Sequence, residues 1–171
     1  MRLTERLGKA LNEQIRNEMV ATYTYMGMAS WCDANNYPGM AHWMKMQVQE
    51  EMMHVWKLYD FLNDNSYRVM LLDVPAPEQD FNSPEDVFVA ALKHEEMVTG
   101  NYYDLNAIAI EDKVYNAQAI IQWFLSEQIE EEKNVGDVLD MVRRMSGHPG
   151  SMMMLDKELS ARQAPTPPAA E

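Results

Sequence analysis

Glu50-Glu51-Met52-Met53-His54 sits in the middle of a stretch, from about Gly39 to Asn63, that is dense in Met, Trp, Glu and Lys. Read as a helix, this stretch places Glu51 and His54 at i and i+3, on one face and about 4.5 Å apart along the axis. A carboxylate and an imidazole so placed can reach the same ion. Taken alone, the pair is equally well a solvated helix face, so its neighbours decide the matter.

Working outward, the chain from Thr4 to about Asn35 has neither a proline nor an internal turn cluster. Leu7, Leu11, Gln14, Glu18 and Tyr25 recur at helical spacing there, and Thr4 suits the N-cap. Asn35-Asn36-Tyr37-Pro38-Gly39 breaks this first helix from the second, and so short a turn predicts antiparallel packing. Ser83-Pro84-Glu85-Asp86 opens a third helix with a serine cap, a proline at the first helical position and acids in the first turn. It runs to about Ile110. A minor break at Glu111-Asp112-Lys113 leads to a fourth helix, which runs to about Met145 and is stopped by Ser146-Gly147-His148-Pro149-Gly150. A short fifth helix follows, from Ser151 to about Ala161.

Between Ser66 and Asn82 the pattern is different. Val69-Met70-Leu71-Leu72 and Val74-Pro75-Ala76-Pro77 read as an extended crossover whose apolar residues need covering by the bundle. The expected fold class is therefore all-α: a four-helix bundle of two antiparallel hairpins joined by a long crossover, plus a short C-terminal fifth helix. Residues 1–162 form one domain in this reading, and residues 163–171 a proline-rich disordered tail.

Each of the other three long helices also carries a polar group on its apolar side. Glu18 lies seven residues from both Leu11 and Tyr25, and Glu95 seven from both Phe88 and Tyr102. On the fourth helix, Gln128 falls seven after Ile121 and Glu131 seven after Phe124. Buried carboxylates are costly unless paired or bound to a metal, and few basic residues lie near these positions. A cation inside the bundle removes the cost. Ligation by several carboxylates and one histidine is hard and oxygen-rich, which disfavours copper(I) and structural zinc thiolate sites. Two ions sharing several glutamates is the di-iron or di-manganese carboxylate arrangement. Affinity order alone leaves zinc able to take the same ligands.

Bulk properties narrow the field further. The net charge of −13 and pI near 4.6 leave no basic patch for a phosphate backbone, so no nucleic-acid partner is expected. The single cysteine, Cys32, excludes an intrachain disulfide framework. Met1 leads directly into a charged amphipathic opening, and no run approaches the roughly 18 apolar residues of a membrane span. The expected location is cytoplasmic, with no membrane partner. The 16 methionines read as adaptable packing between helices before any thioether ligand role.

Leu11-Asn12-Glu13-Gln14 leading to Glu18, Gln49 to His54, Trp123 to Lys133 and Asp156-Lys157-Glu158-Leu159-Ser160 occur in this order. Together they resemble the bacterial non-haem ferritins over nearly the whole chain, from about Leu3 to Ser160. The resemblance implies a di-iron centre: Glu18 and His54 on the first iron, Glu51 bridging, Glu95 and Glu131 on the second, and Gln128 beside them. It implies a third, adjacent iron site from Glu50, Glu127, Glu130 and Glu131. Tyr25 matches a tyrosine near the centre, either an electron donor or hydrogen-bond partner, or simply a packed bundle tyrosine. The implied activity is that of a ferroxidase, oxidising Fe(II) with O2 or H2O2. The implied assembly is a 24-mer cage that stores ferric mineral, with Ser151-Met152-Met153-Met154-Leu155 at its four-fold axis. Bacterioferritins carry a second Glu-x-x-His pair on the fourth helix, where this chain has Gln128 and Glu131. Met52 stands where bacterioferritins place a haem-binding methionine, but non-haem ferritins have Met there too, and haem is not expected. A rubrerythrin-like di-iron oxidase or peroxidase without mineral storage is the alternative. Rubrerythrins usually add a cysteine-rich segment.

Overall fold

The computed structural model describes residues 3–165. Five helices form in order: α1 Glu5–Ala34, α2 Pro38–Asp64, α3 Pro84–Glu111, α4 Tyr115–Met145 and α5 Pro149–Leu159. The helix starts follow the chemistry of their first residues. Thr4 Oγ1 accepts from the Leu7 amide at 3.1 Å, and Ser83 Oγ from the Asp86 amide at 3.1 Å. Helix α5 begins at Pro149, two residues ahead of the boundary read from sequence. Its ring is preset for the first helical position, where no backbone donor is required. Residues 162–165 have no regular structure, and the rest of the expected tail, 166–171, lies outside the described residues.

Helices α1 and α2 form one antiparallel hairpin, and α3 and α4 the other. The crossover returns along α1 in the same direction as that helix. Tyr67 lies over Gly8, where a Cβ would come within 2.3 Å of its ring, and Pro77 and Glu78 lie over Gly27. Asn12 fastens the middle. Its Nδ2 donates to the Arg68 carbonyl at 3.2 Å, and its Oδ1 accepts from the Met70 amide at 2.8 Å. Arg16 Nε donates to the Asp73 carbonyl at 2.9 Å. With the crossover returning beside α1, α3 descends antiparallel to α1, and its last turn lies close enough for Arg6 to bond Glu111 at 2.7 Å.

The apolar core is in two parts. One cluster, at the end where α5 docks, contains Met28, Met40, Met44, Phe88, Val135 and Leu155. The other, at the opposite end, contains Leu7, Leu11, Ile15, Leu58, Leu62 and Ile121. Between them along all four long helices lie Glu18, Glu51, His54, Glu95, Gln128 and Glu131, each no more than 2% exposed. Among the described residues, no helix is long and apolar enough to cross a membrane.

Asn12→Ala removes both crossover bonds at a 5% exposed site, and is expected to cost about 1–3 kcal/mol in denaturant unfolding. Hydrogen exchange should accelerate at the Met70 amide while the middle of α2 keeps its protection. Unchanged exchange at Met70 would contradict this role for Asn12.

Candidate metal centre

Four helices each deliver one or two polar side chains to a single layer. Helix α1 supplies Glu18, α2 supplies Glu51 and His54, α3 supplies Glu95, and α4 supplies Gln128 and Glu131. The i, i+3 spacing on α2 brings His54 Nδ1 to 3.2 Å from Glu51 Oε2, and the same nitrogen is 3.8 Å from Glu18 Oε2 across the helix pair. Ligand-type atoms of Glu18, Glu51 and His54 all lie within 4.8 Å of one another. Edge-on contacts from Trp123 and Phe124 hold the imidazole in place.

Neutral donors position the carboxylates. Tyr102 donates to Glu18 Oε1, and Gln14 Nε2 donates to the same oxygen at 2.7 Å. Tyr25 donates to Glu95 Oε1. Gln128 Nε2 lies 3.3 Å from Glu95 Oε2 and 3.3 Å from Thr99 Oγ1. Gln47 Nε2 donates to Glu131 Oε2 at 2.8 Å. Among the described residues, no Lys or Arg pairs with Glu18, Glu51, Glu95 or Glu131. Glu18 Oε2 and Glu51 Oε1 are buried without a hydrogen-bond partner. Two unsatisfied carboxylate oxygens beside an imidazole are what a cation would satisfy, so the donor set fits a hard divalent ion.

The crowding of like charges shows in the proton affinities. Burial, then the charges of Glu95, Glu18 and Glu131, push Glu51 well above the usual carboxylate range. Burial raises Glu95 to about 7, against the opposing hydrogen bonds from Tyr25 and Gln128. Burial, then Glu50 and Glu95, raise Glu131 to about 8. Tyr25 and Tyr102 are also raised well above 10, first by burial and then by the neighbouring carboxylates.

The outer carboxylates are placed differently. Glu50 and Glu127 are half-buried and line a cavity of about 200 Å³ with Met53, His54, Lys57 and Trp123, so the cavity opens onto the imidazole. Glu130 is exposed. Glu50 does not stand free among acids, because Arg162 Nη2 donates to its Oε2 at 2.8 Å. Met52 packs against the apolar cluster at the end opposite α5.

Sequence reasoning did not assign roles to Gln14, Gln47 and Tyr102, although each carries a signal. Gln14 is four before Glu18, Gln47 is seven before His54, and Tyr102 is seven after Glu95. Polar residues in register with such a group on a buried stripe face the same layer, where Gln14 and Tyr102 hold Glu18 and Gln47 holds Glu131. The Arg162–Glu50 pair spans 112 positions and had no such signal.

Comparison with known proteins bears on the family and the fold. Residues 8–145 match the family model described as "Ferritin-like domain". The bacterial non-heme ferritin of Staphylococcus saprophyticus is 37% identical over 160 residues, covering 94% of this chain and 96% of that protein. That of Staphylococcus aureus strain USA300 is 36% identical over the same span. Among solved structures, the open-pore ferritin of the archaeon Archaeoglobus fulgidus superposes with a TM-score of 0.93 at 35% identity, covering 94% of this chain and 98% of its own. An engineered closed form of that protein gives the same values.

A carboxyl that titrates near 8 when folded and near 4.5 when unfolded binds more protons in the folded state between those values. Stability therefore falls as pH rises through that window. The melting temperature of the metal-free chain is expected to drop between pH 5.5 and 8.5, and Glu131→Gln to flatten the slope. Divalent zinc or manganese should restore the loss, more strongly at higher pH, because binding expels the protons. Equal slopes for the chain and the Glu131→Gln variant would rule out this origin.

Proposed function

Because the chain belongs to the ferritin family, we propose that it stores iron, oxidising Fe(II) at an intra-bundle centre and holding the ferric product as mineral inside a cage of twenty-four subunits. The observation that carries the reading is the buried trio Glu18, Glu51 and His54, whose donor atoms converge while Glu18 Oε2 and Glu51 Oε1 lack partners. Four buried carboxylates carry up to four negative charges, which two ferrous ions would balance.

In this reading Glu18 and His54 bind the first iron, Glu51 bridges, and Glu95 and Glu131 bind the second with Gln128 beside them. Each ferrous ion gives up one electron. O2 accepts the pair with two protons and leaves as H2O2, or H2O2 accepts them and leaves as water. Anionic oxygen ligands favour the ferric product. Tyr25, bonded to Glu95, fixes that ligand and is a candidate to supply a further electron. Glu50, Glu127, Glu130 and Glu131 hold a third ion on the outer side of the centre. The working unit is residues 1–162, with residues 163–171 as an appended tail. Met153 and Met154, 75% and 73% exposed on α5, are available to neighbouring subunits at the four-fold axis.

Glu51→Ala and His54→Ala are each expected to slow aerobic Fe(II) oxidation by roughly tenfold or more while leaving the cage assembled, since loss of even an outer partner of a metal ligand commonly costs 10–100-fold. Stopped-flow absorbance of ferric formation, with size-exclusion chromatography of the same samples, reads both. Normal rates in both variants would defeat the site assignment. Fast oxidation by a small oligomer that then precipitates iron would defeat storage.

A further inference from the structure

Helix α5 is fixed firmly enough to aim the residues that follow it. Leu155 and Leu159 are buried in the apolar cluster at the end where α5 docks, and Asp156 accepts from the Gly39 and Met40 amides at 3.1 and 2.8 Å, satisfying free donors at the start of α2. Gly39 permits this approach, because a Cβ there would fall 1.6 Å from the Asp156 carbonyl oxygen. Three residues past α5, the Arg162 carbonyl accepts from His42 Nε2 at 2.9 Å. The guanidinium carbon lies 4.3 Å from the centroid of the Trp43 ring, and Nη2 bonds Glu50 at 2.8 Å. The two charged side chains are only 18% and 21% exposed, and Nη1 is buried without a partner.

Arg162 is thus a cation held on an aromatic platform against one carboxylate of the outer set, at the edge of the acidic layer. A metal ion using Glu50 would meet that guanidinium on the same carboxylate, and the two positive charges repel. We propose that Arg162 is a built-in counter-cation for Glu50 that competes with the third ion, so that loading the outer position requires the guanidinium to leave Trp43. The inference rests on the reading that Glu50, Glu127, Glu130 and Glu131 hold an outer ion. Arg162 acts through Glu50 and is a positioning residue. It keeps the outer position weak while the inner pair fills.

The test is calorimetric titration of the metal-free full-length cage with Zn(II), a redox-inactive probe, counting ions per subunit. Two strong ions and one weaker ion are expected. Arg162→Gln should tighten the weaker ion by roughly five- to tenfold, the scale of a half-buried charge-assisted hydrogen bond, and leave the two strong ions within twofold. Arg162→Lys keeps the charge and should return the third affinity towards that of the unaltered chain. It also serves if the Gln variant assembles poorly. Glu50→Gln should abolish the third ion in both backgrounds. A third ion that is lost with Glu50→Gln but unmoved by Arg162→Gln overturns the counter-cation, leaving a pair that merely ties α5 to α2. Glu50→Gln with no effect on the count overturns the outer-site reading itself.

Discussion

Four carboxylates buried in one layer of a helical bundle, with the His54 imidazole among them, is the constraint to which the rest of the fold answers. Removing such groups from water costs several kcal/mol each unless something compensates. Among the described residues, no lysine or arginine compensates at the layer. The chain raises the proton affinity of three of the carboxylates instead, and leaves two oxygens unpartnered. A site neutralised by its own cations would be more stable and unable to bind others. This one is left with a charge deficit of the kind an incoming divalent ion removes.

The choice of supporting residues follows the same logic. Gln14, Gln47, Gln128, Tyr25 and Tyr102 donate hydrogen bonds to the layer and bring no charge. They fix carboxylate geometry without weakening the attraction for a cation, which an arginine fork would do. Where an arginine does appear, at Glu50, it stands outside the layer and on a carboxylate that no neutral donor holds. The two sets therefore differ: Glu18, Glu95 and Glu131 are aimed by neutral amides and phenols, whereas Glu50 is occupied by a cation of the protein's own.

The helices and the layer were legible because both follow period. Seven-residue offsets put Glu18, Glu95, Gln128 and Glu131 on apolar stripes, and i, i+3 spacing paired Glu51 with His54, all within single helices. The crossover was legible as a covered extended segment from its apolar residues. Its anchoring to Asn12 was not, because the bonds join a buried amide to backbone atoms more than fifty positions away. Arg162 was hidden for the same reason. Long-range pairing of a polar side chain leaves no periodic trace, and three-dimensional placement alone shows that Glu50 already has a partner.

The division of the core into two apolar ends has a consequence for how such a sequence can drift. The end beside α5 buries Met28, Met40 and Met44 among valines, leucines and aromatics, with Met141, Met145 and Met152 against them. The far end is packed with leucine and isoleucine. Methionine fills irregular space and tolerates exchange, whereas branched side chains fit one arrangement. Substitutions in separate clusters with no shared neighbours add independently. The polar layer acts as a firebreak: an exchange among the methionines beside α5 leaves the leucine packing at the other end untouched.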